Sequence, residues 1–405
     1  MKLYLLPMVI FLSACGQHQK KVESAANSTL QTYYDMNIGL EDSEANPQDY
    51  SKVFAADQRP KNVILLIGDG MGINQIMVTR QRFYGVDGKL FMESMPFSAL
   101  INTHAALNDN ITDSAAGATA MATGKKTRNG MLGVTADTLP TENLIEKCKR
   151  VAMSTGLITY GKLSGATPGA FASHVASRDM KGDISYQMLQ TNFDFLFGDS
   201  EDFWGTTSDG KAVNRAFAES LGFHILENKN QLNESTDDKI LALLSPLVME
   251  DESIESGKVV INPLAPTLSD VTKKAMNHLT KNPKGFFLMV EEDWIDSWGH
   301  DNRPDFVTWH VRHLDEAVQA ALNFALSNNE TLVIVTADHE TGGLTNIEVG
   351  DTTGVLRLNY STDEHTGQPV PLFAFGPGAN RFMGILDNTD IFRIISDLLA
   401  LPDSE

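Results

Sequence analysis

The stretch Val63-Ile-Leu-Leu-Ile67, running into Gly68-Asp-Gly-Met-Gly72, decides the fold. An unbroken apolar run bounded by glycine, with no polar alternation, predicts a strand buried on both faces, as in a parallel sheet. Asp69 then stands at the carboxyl end of that strand, where an open α/β sheet holds its ligands. The glycines do not form a dinucleotide loop, because the third glycine of that fingerprint would fall at Ile73. A Walker loop at Gly124-Lys125 fails as well, since Thr119 occupies the first glycine position and Lys126 replaces the Ser or Thr. The runs Phe286 to Val290, Thr331-Leu-Val-Ile-Val-Thr336 and Val370 to Phe375 repeat the buried-strand pattern. Phe193-Asp-Phe-Leu-Phe-Gly-Asp199 predicts another core strand in preference to an aromatic pocket lining. The fold expected is α/β: a large, mostly parallel central sheet with helices on both faces and a site along the C-terminal strand edges.

Acidic and imidazole side chains collect at those strand ends. Glu291-Glu-Asp-Trp-Ile-Asp296-Ser-Trp-Gly-His300 follows one strand. Within it, Glu292 and Asp293 read equally well as a solvated loop. Asp296 and His300 are four residues apart, which puts both on one face of a helical turn, suited to gripping one cation. Asp338-His339 follows Thr336 directly, and the turning backbone lets the pair serve one metal or two. His365 lies in Glu364-His-Thr-Gly367, just before the last apolar run. Ser114, in Ile111-Thr-Asp-Ser-Ala-Ala-Gly-Ala-Thr119, precedes the small-residue stretch Ala115 to Thr123, which predicts a helix. Its hydroxyl would sit at the helix N-terminus, either as ordinary capping chemistry or as part of an anion site. Each feature alone has a structural explanation. Four clusters beside separate strands, together with that serine, read as a metal-dependent phosphate site.

The serine run, Thr336-Ala-Asp-His339 and Glu364-His-Thr-Gly367 resemble the signatures of the alkaline phosphatase family, and the resemblance extends from about Lys61 to Leu401. It implies hydrolysis of small phosphate monoesters by a two-zinc centre. Asp296, His300 and His365 would hold one zinc, and Asp69, Asp338 and His339 the other, which would also bind Ser114. Ser114 would be the nucleophile, passing through a phosphoserine, since a serine hydroxyl needs metal coordination to ionise. Arg178, in Ser173-His-Val-Ala-Ser-Arg178, would grip two phosphate oxygens with its planar fork. A magnesium would be held by Asp69, Thr167 and Glu291, but weakly, because Gly165 stands where members usually carry Asp or His. Ser297 also departs from the family, many members carrying a longer side chain there.

Two other classes compete. One is a sulfatase or phosphodiesterase of the same superfamily. Ala116 to Thr119 lacks the Pro and Arg of a sulfatase signature, and Glu291 favours monoesters over diesters. The other is a lipoprotein that binds metal or phosphate without turnover, yet every zinc position is filled.

With 405 residues and 42% hydrophobic content the chain can bury a large core. Motifs spread from Asp69 to His365 must converge on one site, so residues 61–405 are expected to form one catalytic domain. A formal charge of −20 argues against nucleic acid as a partner. At the N-terminus, Lys2 and the apolar stretch Leu3 to Leu12 lead into Leu12-Ser-Ala-Cys15-Gly, which resembles a bacterial lipobox. Residues 1–14 would be a lipoprotein signal peptide, Cys15 the lipidated residue and 15–60 a polar tether. The competing reading is an ordinary cleaved signal peptide with Cys15 lost or free. The lipobox places the protein in the bacterial periplasm or at the cell surface, anchored by lipid to a membrane, with the outer membrane favoured. Cys15 and Cys148 are the sole cysteines, so no intramolecular disulfide is expected. The short interval from His339 to His365 leaves little room for the domain that family members often insert there, and the homodimer usual in the family is correspondingly less secure.

Overall fold

The computed structural model describes residues 33–37, 50–244, 248–249, 260–261, 265–347 and 355–403; Cys15, the leader and most of the tether lie outside them. In chain order the principal strands are β1 (Tyr33–Asn37), β2 (Asn62–Gly68), β3 (Phe97–Asn102), β4 (Ser154–Lys162), β5 (Phe195–Asp199), β6 (His224–Leu226) and β7 (Ile240–Leu243). Then follow β8 (Phe286–Glu292), β9 (Thr331–Thr336), β10 (Leu344–Ile347), β11 (Val355–Tyr360), β12 (Val370–Phe375) and β13 (Gly384–Asp387). Ten of them form one sheet, in the order β13-β3-β12-β9-β2-β8-β4-β5-β7-β6. It is parallel except where β12 runs antiparallel to both β9 and β3.

The apolar runs lie at its centre. Every residue of β2, β8 and β9 is buried, and Val63 to Ile67 are 0% exposed. Burying each of those side chains stabilises the fold by roughly 1.5–3 kcal/mol. The aromatics of Phe193–Asp199 are core, as expected: Phe193, Phe195 and Phe197 are all 0% exposed. Helices pack in two groups, the sandwich a parallel sheet requires. Ile73–Tyr84 and Leu268–Leu279 both pack on Pro304–Asn328, while Ala166–Ala170, Leu144–Arg150 and Asn388–Leu398 pack on Ser114–Thr123 in a second set.

Register fixes the site. Glu291 of β8 lies opposite Ile67 of β2 and Thr159 of β4, and Thr336 of β9 is also opposite Ile67. Asp69 and Asp338 therefore emerge at one level, two residues beyond that pair, and Glu291 lies one step below them on the strand between β2 and β4.

Two expectations need correction. Tyr33–Asn37, within the segment read as a tether, pairs antiparallel with β11, and Tyr50 is only 1% exposed against the core. Apolar Tyr50 and the backbone donors of β1 find partners on the domain, so its ordered structure begins before residue 61. Secondly, Glu292 is no solvated loop residue; it is 0% exposed, because β8 continues through it. Between His339 and His365 the chain builds only β10, β11 and two two-residue strands, Glu340–Thr341 and His365–Thr366, among the described residues. No described helix is long and apolar enough to cross a membrane.

Candidate active site

Helix Ser114–Thr123 is built from small residues and wholly buried. Asp113 caps it, its carboxylate accepting from the Ala116 N–H at 2.9 Å, so the capping role suggested for this position belongs to Asp113 and leaves the Ser114 hydroxyl free. Gly117 lets the helix approach the end of β9, since a Cβ there would lie 3.0 Å from the Asp338 carbonyl. Ser114 is thereby pressed against the strand ends. Its Oγ lies 3.3 Å from His339 Nε2 and 3.5 Å from Asp69 Oδ1. His339 Nε2 is in turn 3.3 Å from Asp69 Oδ1 and 3.5 Å from Asp338 Oδ2.

A second constellation sits beside the first. Asp296 and His300 share one face of the helix Trp294–His300, as their spacing predicted, with His300 Nε2 3.4 Å from Asp296 Oδ2. His365 Nε2 lies 3.4 Å from Asp296 Oδ1 and 3.1 Å from His300 Nε2. The Nδ1 atoms of His300 and His365 face the carbonyls of Asp363 and Thr112, at 2.5 and 2.9 Å. Protons held there leave both Nε2 lone pairs pointing at each other, an arrangement that repels unless a cation lies between them. The rings of His339 and His365 stack at 3.7 Å and join the two groups.

The spacing fits zinc. Bonds of about 2.0–2.1 Å in a tetrahedron put ligand atoms about 3.3–3.4 Å apart. The separations among Ser114, Asp69 and His339, and among Asp296, His300 and His365, run from 3.1 to 3.5 Å, and Asp338 lies 3.5 Å from His339. Asp338 Oδ2 and both carboxylate oxygens of Glu291 are buried without a hydrogen-bond partner, which a cation would remedy. The Thr167 hydroxyl is likewise unpartnered.

Electrostatics tell the same story. Burial, then Asp338 and Asp296, push the Asp69 carboxyl well above its usual range. Burial and Asp296 raise Asp338 to about 7. Glu291 is raised well above normal by burial first and then by Asp293. Burial, then His365, lowers His339 to about 3, keeping the imidazole neutral as a metal ligand must be. At Asp296 burial opposes ionisation, but bonding to His300 and His365 outweighs it and holds the carboxyl well below its usual range. His300 rises to about 9, chiefly through Asp296. Crowded buried acids such as Asp69, Asp338 and Glu291, each pushed upward by burial and by a neighbouring carboxylate, are what a multivalent cation site requires.

Arg178 reaches this region through Asp113, with Nη1 3.3 Å from Asp113 Oδ2. Burial tends to lower its pKa, and Asp113 and Asp69 more than restore it. The arginine is thus held beside the serine and always charged.

Several residues escaped the sequence reading. Thr341 bonds Asp296 and lies 3.2 Å from His339 Nδ1, orienting both. Glu292 receives His310 Nδ1 at 2.8 Å and His313 Nδ1 at 2.6 Å, all three side chains being nearly or fully buried. Its backbone carbonyl accepts from the Asp69 N–H at 3.1 Å. The signal was present, since His310 and His313 lie three apart on one helical face, but nothing in the sequence linked that face to Glu292.

Comparison with known proteins agrees with this geometry. The alkaline phosphatase family model matches residues 60–357. The alkaline phosphatase of Escherichia coli K12 is 33% identical, over 85% of this chain and 87% of that protein. The structure of alkaline phosphatase from the Antarctic bacterium TAB5 superposes with a TM-score of 0.74 at 31% identity, covering 85% of this chain and 99% of that one. A variant of the TAB5 enzyme with magnesium bound in its M3 site gives a TM-score of 0.74 at 30% identity, over 85% and 99% of the two chains. With the fold, the family model and relatives across most of its length in agreement, this chain belongs to the alkaline phosphatase family and is a phosphatase of that metal-dependent group.

Proposed function

We propose that the protein hydrolyses phosphate monoesters through a phosphoserine on Ser114, with two zinc ions and a more weakly held magnesium. The observation that carries this reading is the spacing of two triangles, Ser114–Asp69–His339 and Asp296–His300–His365, whose separations match the edges of a zinc tetrahedron and in one of which the Ser114 hydroxyl is a corner. Asp69, Asp338 and His339 would hold one zinc, and Asp296, His300 and His365 the other. Bound there, the metals would lower the pKa of the serine hydroxyl and of water, and offset negative charge on the departing oxygen.

The protein groups account for the rest. Arg178, aligned by Asp113, grips two non-bridging oxygens of the substrate and presents phosphorus to Ser114 Oγ. The serine loses its proton and bonds to phosphorus as the ester P–O bond breaks, releasing the alcohol. The exposed N–H groups at the start of the helix favour the dianionic phosphate throughout. Water then attacks the phosphoserine from the vacated side, freeing inorganic phosphate and restoring Ser114. Asp69, Thr167 and Glu291 would take the magnesium.

The N-terminal sequence supports export and lipid anchoring at Cys15, with residues 1–14 removed; the mass of the membrane-extracted mature chain tests this. The mass of the solubilised enzyme tests whether it forms the homodimer usual in the family. The activity test is hydrolysis of p-nitrophenyl phosphate and bis-p-nitrophenyl phosphate, with zinc counted and Ser114→Ala as control. Zinc-dependent monoester turnover that falls at least about 10³-fold in the variant is expected. Preference for the diester would move the enzyme elsewhere in the superfamily, and no turnover with metal fully bound would leave a binding protein.

A further inference from the structure

Position 165 offers no side chain to the proposed third cation site, yet an acidic group just past the end of β8 lies beside Asp69 and Glu291. We infer that Asp293 supplies the ligand that Gly165 cannot, completing a site for an oxygen-preferring divalent cation with Asp69, Glu291 and Thr167. This rests on the proposed third metal and names a residue of this chain that would complete it.

Asp293 directly follows β8, two residues beyond Glu291. Asp69, Glu291 and Asp293 each present a carboxylate oxygen, all within 4.8 Å of one another. An octahedron with bonds of about 2.1 Å needs oxygens about 3 Å apart when adjacent and about 4.2 Å apart when opposite, and at most one of the three pairs can be opposite, so the carboxylates would draw inward on a bound ion. The facing strand is cut away to admit Asp293. A Cβ at Gly161 would lie 2.5 Å from the Asp293 Cβ and 2.6 Å from its Oδ2, so a larger residue at 161 would displace the carboxylate.

Glu291 supplies an independent sign of a missing ligand. It is 1% exposed, and neither carboxylate oxygen has a hydrogen-bond partner. The Thr167 and Thr159 hydroxyls, which face the same strand ends, are also buried and unpartnered. The neighbouring protein cations are engaged elsewhere: Arg178 with Asp113 at 3.3 Å, and Lys162 with Glu201 and Asp202 at 2.7 and 3.2 Å. Three carboxylates and a hydroxyl, with no imidazole or thiolate, select a hard cation such as magnesium or manganese over zinc.

The test counts metal directly. The full chain is loaded with two equivalents of zinc and titrated with manganese, free Mn²⁺ being read by electron paramagnetic resonance. Asp293→Asn, Asp293→Ser and Glu291→Gln are compared, with zinc content and thermal unfolding as folding checks. The wild type should take up one manganese beyond the two zincs, and Glu291→Gln none. Both Asp293 variants should bind manganese at least about tenfold more weakly while retaining two zincs. If the wild type binds no third ion, the third-metal reading fails and this inference with it. If Glu291→Gln loses the ion but the Asp293 variants bind it as the wild type does, the third metal stands and Asp293 is no ligand. Weakened inorganic phosphate binding with unchanged manganese affinity would assign Asp293 to the alignment of Arg178 and overturn the proposal.

Discussion

Glu292 is the most severe point at which to perturb the buried scaffold under the site. Its carboxylate is 0% exposed and held ionised, the cost of burial being outweighed by His310 and then His313. His313 Nε2 accepts from the Leu268 N–H at 2.9 Å, so its proton must sit on Nδ1 and point at Glu292. That tautomer also argues against a metal among Glu292, His310 and His313, because the Nδ1 lone pair is not available. His310 is less constrained, as its Nε2 is buried without a partner and can take the proton. Glu292→Gln can therefore be accommodated. The amide oxygen accepts from His313 while the amide N–H₂ donates to a retautomerised His310, for a loss of about 1–2 kcal/mol. Glu292→Leu strands both imidazoles in the core at about 1–3 kcal/mol each, so about 2–6 kcal/mol in total. For a domain of this size that separates the two variants by several degrees in Tm. Scanning calorimetry of the zinc-loaded proteins measures the difference. Equal stability of the Leu and Gln variants would refute the tautomer argument, since it would mean that the imidazoles lose nothing when their acceptor goes.

Arg178→Lys should cost nearly as much as Arg178→Ala, because a single ammonium cannot make the two parallel bonds of the guanidinium. A loss of about 1.5–3 kcal/mol predicts kcat/KM down roughly 10–150-fold in initial-rate assays, and near wild-type kinetics in the lysine variant would remove Arg178 from phosphate binding. Removing metal should make stability pH-dependent. Asp338, raised to about 7 by burial and by Asp296, keeps its proton in the folded apo-protein over a range where the unfolded chain, at about 3.9, has lost it. Unfolding free energy of the chelated protein should thus fall between about pH 4 and pH 7, by up to about 4 kcal/mol from this group, and level off above. The metal-loaded protein should lack that slope, because a bound cation keeps the carboxylate ionised. Parallel Tm-against-pH curves for the two forms would contradict the assignment.

The sequence alone determined the mostly parallel core and which acidic and imidazole residues stand where its strands end. Val63–Ile67, Phe286–Val290 and the run between Thr331 and Thr336 are apolar without alternation because both faces of each strand are buried. It also determined the shared face of Asp296 and His300, a local consequence of helical geometry. What the sequence could not determine is pairing between residues far apart along the chain. Glu292 reads as one acid among three until the fold brings His310 and His313 beneath it. Asp293 reads as a loop carboxylate until β4, with Gly161, makes room for it beside Asp69. Tyr33–Asn37 reads as tether until β11 offers it an edge. Tertiary structure decided these points because burial and partner choice depend on which strands lie side by side, and that order, β9-β2-β8-β4, is not the order of the chain.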